Sequence, residues 1–217
     1  TMVAADRVGA ARALVARGAQ VIIADDGLQH LRLARDCQIV VIDGARGFGN
    51  GRLLPAGPLR EPAARLAQAD VLVLNGAPEH ASLATPALTA AALTMSLAAH
   101  EAVRLDARAP PRALSTFRGR RVHAVAGIGN PQRFFSELRS HGIEVIEHAF
   151  ADHHPFTAPE LRFAEELPVL MTEKDAVKCA AFADPRLWYV PVSARFSEAD
   201  AHALRALVLE KVLARGQ

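Results

Sequence analysis

Lysine is almost missing from this chain: of 25 basic residues only Lys174, Lys178 and Lys211 are lysine, and the rest are arginine. With one Trp, one Tyr, a net charge of +2 and no basic run longer than Arg120-Arg121, the sequence has no electrostatic footprint for nucleic acid. Cysteine is scarce as well. Cys37 and Cys179 lie far apart and outside metal-ligand spacing, so a disulfide framework is excluded and two buried free thiols in a reducing compartment are expected. No apolar run exceeds strand length, which leaves no transmembrane helix, and nothing marks export. Repeats and low-complexity segments are also missing.

What remains is strand-sized apolar runs, each ending on a polar residue. Residues 21–30 read VIIADDGLQH, and 21–24 are too short for a helix and suit a buried strand. That places Asp25 and Asp26 at a strand's carboxyl end, where open α/β sheets bind ligands. Two adjacent ionised carboxylates call for a cation or a donor-rich pocket nearby, and magnesium is the first expectation. Apolar spacing predicts a helix over 4–17 and further strands at 39–42, ending at Asp43, and 71–74, ending at Asn75-Gly76. Between these two strands runs GARGFGNGRLLPAGPLREP, residues 44–62, whose five glycines and three prolines predict a long loop with a brief helix at 63–69 after it.

Residues 77–112 read as a connector in which 93–97 and 102–105 pair as strands. The second half predicts a strand at 122–126, a GIGNP turn, a helix at 132–141 and a strand at 144–149. A helix at 159–166, strands at 169–171 and 188–192, and a terminal helix at 197–214 follow. This alternation predicts an α/β protein with parallel or mixed sheets.

Four stretches carry possible chemistry. Asp25-Asp26 resembles a Walker B carboxylate element, although Asp-Asp-Gly is also good turn chemistry. The 44–62 loop offers backbone amides and arginines to an anion, but 47–51 lacks the Lys-Ser/Thr ending of a Walker A cradle. GIGNP opens a helix, and its amides serve either an anion or tight packing. Asp152-His153-His154 follows a strand and sets an imidazole beside a carboxylate, whereas 172–175, TEKD, serves equally as a site or as helix capping.

Taken together, DDGLQH, DGARGFGNGRLLPAGPLREP, NG, AVAGIGNPQRFF, DHH and TEKDAVK resemble, in order and over essentially the whole chain, the tetraacyldisaccharide 4'-kinase family of lipid A synthesis. The resemblance implies a P-loop-NTPase-like parallel or mixed sheet joined by a short β-rich linker to a second, smaller α/β domain, with boundaries at 1–88, 89–112 and 113–217. It also implies transfer of phosphate from ATP, with Mg²⁺, to the 4'-hydroxyl of a tetraacylated disaccharide 1-phosphate. Peripheral contact with the cytoplasmic face of a bacterial inner membrane, a lipid A precursor as substrate, no nucleic acid and a monomer are the expected partners and state. Family members carry a membrane-associating helix, a Walker A loop and an acidic GDEP segment ahead of the matching region. The Walker A strand and loop are not in this sequence, so the expectation is an incomplete sheet, poor solubility and little or no activity for the chain alone.

By that resemblance Asp25 and Asp26 hold the metal, with Asp26, Arg60 and Glu61 acting in catalysis. Gln29, His30 and Asn75 bind substrate, and His153 accepts the proton of the sugar hydroxyl after closure of the two domains. Two readings stand beside the kinase. One is a metal-dependent phosphoesterase built on Asp25, Asp26, Asp43 and Asp152-His153-His154; the other is a noncatalytic fragment that binds phosphate-bearing lipid.

Overall fold

A computed structural model describes residues 1–84, 88, 92–182 and 184–214. The chain divides into two compact units, Thr1–Ser96 with Arg195–Gln217, and Leu97–Ala194. The observed grouping differs from the expected domains in two respects: the second unit begins at Leu97 and not at 113, and the terminal helix groups with the first unit. The reason for the second is visible in the contacts, since the Lys211 ammonium pairs with Asp70 at 2.7 Å and the Asp200 carboxylate accepts the Thr94 N–H at 3.3 Å. Residues 89–91 of the expected linker lie outside the described residues.

The first unit opens with α1 (Arg7–Ala16), whose first turn is capped by the Asp6 carboxylate accepting the Val8 N–H. Its sheet has the order β1-β2-β3-β10, from β1 (Ile39–Asp43), β2 (Val71–Asn75), β3 (Leu93–Ala99) and β10 (Val192–Phe196). β1 pairs with β2 and β2 with β3, both in parallel, so Asp43 and Asn75 come level at the carboxyl ends. Ile42, Leu74 and Leu83 form the buried centre. The brief helix expected at 63–69 is a 3₁₀ turn over Ala63–Gln68.

One expectation fails here. Residues 21–24 are not a strand but irregular coil ending in a turn, with Val21 55 % and Ile23 93 % exposed. A strand needs a neighbour to complete its ladder, and β1 pairs with β2 on one side only among the described residues. Ile39 and Val41 on β1 are exposed as well. The turn chemistry does hold, because Asp26 adopts a left-handed φ of 47° just before Gly27.

The second unit carries β4 (Glu101–Arg104), β5 (Arg112–Ala113), β6 (Arg121–Ala126), β7 (Glu144–Ala149), β8 (Val169–Thr172) and β9 (Leu187–Val190), in the order β5-β4-β9-β8-β6-β7. β6, β7, β8 and β9 are parallel and β4 is antiparallel to β9. The expected pairing of 93–97 with 102–105 does not occur, since these become β3 and β4 in different sheets. The expected helix at 159–166 shrinks to a 3₁₀ turn over Ala158–Leu161, and the strand expected at 188–192 divides into β9 and β10.

α2 (Pro131–Ser140) buries Phe134, Phe135 and Leu138 against this sheet, with Pro131 at its first turn and the Asn130 side chain accepting the Arg133 N–H. α3 (Glu173–Cys179) follows β8, and α4 (Glu198–Leu213) closes the chain in the first unit. Cys179 is buried and free, and burial pushes its thiol up to about 11, so it is inert; Cys37 is only partly buried. No helix among the described residues is long and apolar enough to cross a membrane.

A histidine pair fastens the segment before β8. His123 Nε2 lies 3.1 Å from the Glu165 carbonyl oxygen, so it donates there, and its Nδ1 accepts from His148 Nε2 at 3.0 Å. Burial, with the neighbouring His123, holds the His148 imidazole below its ordinary range. The unfolded chain therefore binds the proton more readily than the folded one. Stability from this pair is fully present above the ordinary imidazole range and is lost as pH falls through it towards the lowered value. Urea titrations at pH 7 and pH 5 should show His148→Gln, which can still donate to His123, losing less stability on acidification than the parent.

Candidate functional site

In the first unit the sequence-predicted residues meet only in part. A cavity of about 340 Å³ is lined by Asp26, Gln29, Arg60 and Glu61 together with residues 40–43 of β1 and Arg65. The Arg60 guanidinium approaches the Asp26 carboxylate at 3.4 Å, with both groups well exposed, an ion pair that adds little to stability and leaves both available to a ligand. Glu61 pairs with Arg65 at 3.1 Å. Asp25, His30 and Asn75 do not line this cavity. Asn75 is engaged through its backbone, where its carbonyl accepts the Gly44 N–H at 3.0 Å.

Two arginines that sequence spacing left without a role shape the turn. Arg7 donates to the carbonyl oxygens of Asp25 (3.4 Å) and Asp26 (2.9 Å), and Arg35 donates to those of Gly27 (3.2 Å) and Leu28 (2.5 Å). The acidic turn is thus clamped by its main chain. No periodicity signals such contacts, since each depends on where α1 and the 31–36 segment pass the turn.

The loop from Gly44 to Pro62 is built rather than slack. Asn50 bridges it, its Oδ1 accepting the Arg52 N–H at 3.1 Å and its Nδ2 donating to the Ala56 carbonyl at 2.9 Å. Leu54 donates its N–H to Leu59 and Gly57 donates to Leu53, at 2.8 and 3.0 Å. These bonds close a compact lobe that ends at Arg60 and Glu61.

The second unit gathers its three motifs at one place. β6 lies between β7 and β8, all parallel, so the GIGN turn, the 152–154 loop and the 172–175 motif all follow strand carboxyl ends at the point where the chain changes direction across the sheet. Asp175 is fully buried; its carboxylate accepts the Gly127 N–H (2.8 Å), the Thr172 hydroxyl (2.7 Å) and the Lys178 ammonium (2.9 Å). A side chain at Gly127 would crowd Asp175, Phe156 and the Ala151 carbonyl within 3.2–3.3 Å, which decides the turn in favour of packing.

His153 stands beside this knot with its side chain 74 % exposed and its Nε2 3.9 Å from Asp152. The other carboxylate oxygen of Asp152 takes the Lys174 ammonium at 3.0 Å, a contact that holds the Asp152 carboxyl below the usual range. His154 turns elsewhere, to Glu160 at 2.9 Å. Among the described residues no group of three or more His, Cys, Asp or Glu is assembled to hold a metal ion.

Comparison with known proteins identifies the family of the chain. A family model described as tetraacyldisaccharide-1-P 4'-kinase matches residues 1–213. A tetraacyldisaccharide 4'-kinase of Xanthomonas axonopodis pv. citri is 53% identical over 198 residues, covering 89% of this chain and 57% of the relative. One from Alkalilimnicola ehrlichii is 51% identical over 201 residues, covering 93% and 58%. The chain therefore spans less than two thirds of the length of these curated relatives. A crystal structure of LpxK from Aquifex aeolicus in complex with ATP superposes with a TM-score of 0.60 at 25% identity, covering 86% of this chain and 56% of that one. The fold is accordingly the α/β, P-loop-NTPase-like one of that kinase. On the match over 1–213 and the identity to these relatives, the chain belongs to the tetraacyldisaccharide-1-P 4'-kinase family.

Proposed function

We propose that this chain carries part of the machinery that transfers the γ-phosphoryl group of ATP to the 4'-hydroxyl of a tetraacylated disaccharide 1-phosphate. The observation that carries the reading is the meeting of Asp26, Gln29, Arg60 and Glu61 on one cavity in a chain of this family. Phosphoryl transfer asks the protein mainly for positioning and for charge on the transferring oxygens. Asp25 and Asp26 are hard oxygen donors, which suits Mg²⁺, an ion usually held by one or two carboxylates along with phosphate and water. When bound it would neutralise charge on the phosphates.

Arg60 supplies positive charge beside Asp26, and Glu61 orients Arg65 through their pair. Gln29 offers an amide to the substrate from the cavity wall; His30 and Asn75, which stand off the cavity, are proposed as substrate contacts on family resemblance alone. His153, exposed and outside any tight ion pair, takes the hydroxyl proton. On family resemblance the work is proposed for the cytoplasmic face of a bacterial inner membrane, with the peripheral contact that an acylated substrate calls for and a monomeric chain. Because no G-x-x-x-x-G-K-[ST] run occurs in the 217 residues, we expect the chain alone to turn over little.

The test is a chimera in which this chain replaces the matching part of the Xanthomonas axonopodis relative. It should phosphorylate the disaccharide 1-phosphate with ATP and Mg²⁺, and Asp26→Asn and His153→Ala should each lower kcat by about 10²-fold or more. Full turnover in both variants would overturn the assignment. Phosphate-ester hydrolysis without ATP would favour the phosphoesterase, and binding without any turnover the noncatalytic reading.

A further inference from the structure

We propose that Lys174 is a positioning residue for His153: its ammonium anchors the Asp152 carboxylate to one side, so that the imidazole stands next to that carboxylate without being clamped by it. The inference rests on the reading of His153 as the group that takes the hydroxyl proton, and it concerns residues of the second unit alone.

The geometry is a short relay. Lys174 Nζ lies 3.0 Å from Asp152 Oδ1, while His153 Nε2 lies 3.9 Å from Asp152 Oδ2, beyond hydrogen-bond reach. Both ends of the Lys174–Asp152 pair are nearly half exposed. A pair so wet contributes little to folding, which leaves orientation of the carboxylate as its physical effect. Without the ammonium, Asp152 is free to rotate on to the imidazole and clamp it in a hydrogen bond. A ring turned to that carboxylate is held away from the substrate hydroxyl.

The backbone on either side is fixed independently. His153 adopts a left-handed φ of 63°, an uncommon state for a residue with a side chain. It is held there by its N–H donating to the Gly127 carbonyl at 3.2 Å, while the Gly127 N–H donates to the buried Asp175. Asp175 and Lys174 are neighbours at the start of α3, so one turn of helix fixes the main chain of His153 with one residue and the carboxylate beside its ring with the next. Two neighbouring charged pairs are engaged separately, Glu160 with His154 and Lys178 with Asp175. Among the described residues the cation seen on Asp152 is Lys174.

Two measurements test this. In the 217-residue chain, imidazole proton–nitrogen correlation spectra should show the His153 ring signals of Lys174→Met moved relative to the parent, with those of His123 and His148 unchanged; Lys174→Arg should restore the parent positions. In the chimera, Lys174→Met should lower kcat about tenfold with KM for the disaccharide within about twofold. Adding Asp152→Asn to Lys174→Met should recover most of that loss, because the carboxylate that captures the ring is gone. Unmoved His153 signals in Lys174→Met would overturn the proposal. Moved signals with unchanged kcat would support the positioning and count instead against His153 as the base, so the two ideas fail separately.

Discussion

Asp175→Ala is expected to unfold the second unit at a markedly lower temperature than the parent, by roughly 15 °C. The side chain is fully buried and accepts three hydrogen bonds, from Gly127, Thr172 and Lys178. Truncation strands the Gly127 N–H and leaves an ammonium beside an apolar hole lined by Phe156. Breaking a buried charged pair typically costs about 3–5 kcal/mol. Lys178 is partly exposed, which moves the expectation to the lower end, about 3 kcal/mol, and a unit of this size shifts by several degrees per kcal/mol. Asp175→Asn keeps an acceptor for Gly127 and Thr172 and should cost less than half as much. Trp188, the one tryptophan, is buried in this unit, so thermal unfolding followed by its fluorescence reads the effect directly. Equal midpoints for parent and Asp175→Ala would show that the buried carboxylate does not hold the three motifs together.

The second large effect is expected at Gly44→Ala in the first unit. A Cβ there would stand 2.1 Å from the Ala77 carbonyl oxygen and 3.0 Å from that of Gly76, both backbone atoms that cannot swing aside. The same residue donates to Asn75 and accepts from the N–H groups of Glu79 and His80 at 3.0–3.1 Å. Pushing the two segments apart should cost about 2–3 kcal/mol, the usual range for forced overpacking, and should lower the midpoint of the far-UV dichroism transition while leaving the Trp188 transition in place. Gly51→Ala makes a fair control. It meets nothing within 4 Å and strains only a left-handed φ of 72°, which costs about 1–2 kcal/mol. If the two substitutions proved equal, close approach of the backbones would not be what requires glycine at 44.

Much of this architecture was legible because its signals are local. The apolar runs at 39–42, 71–74, 122–126, 144–149 and 169–171 all become strands, and Asn130-Pro131 starts α2 as caps and first-turn prolines do. The failures are non-local. Residues 21–24 have strand composition, yet strand is a property of a pair, and no described segment pairs with them. Residues 93–97 and 102–105 read as a pair of strands but enter different sheets, since a partner's identity is not written in either run. At the candidate site, Asp26, Gln29, Arg60 and Glu61 line one cavity, although Asp26 reaches it from a turn after coil and not from the end of a strand. The role of TEKD is balanced between capping and chemistry in sequence because capping groups and site groups are the same residue types; in the fold the Asp175 N–H donates the cap bond to the Thr172 hydroxyl oxygen while its carboxylate accepts the Gly127 N–H.

The return of the terminal helix to the first unit has a consequence for synthesis. β10 and α4 come from residues 192–213, whereas the strands they join lie between 39 and 99. The sheet of the first unit therefore waits for residues 192–213 to leave the ribosome, while the second unit, continuous from 97 to 194, has its whole sequence in hand earlier. The inserted unit should mature first and the enclosing one only after residues 192–213 have emerged, which makes the nascent first unit, with its exposed Val21, Ile23 and Val41, the natural client for a chaperone during translation.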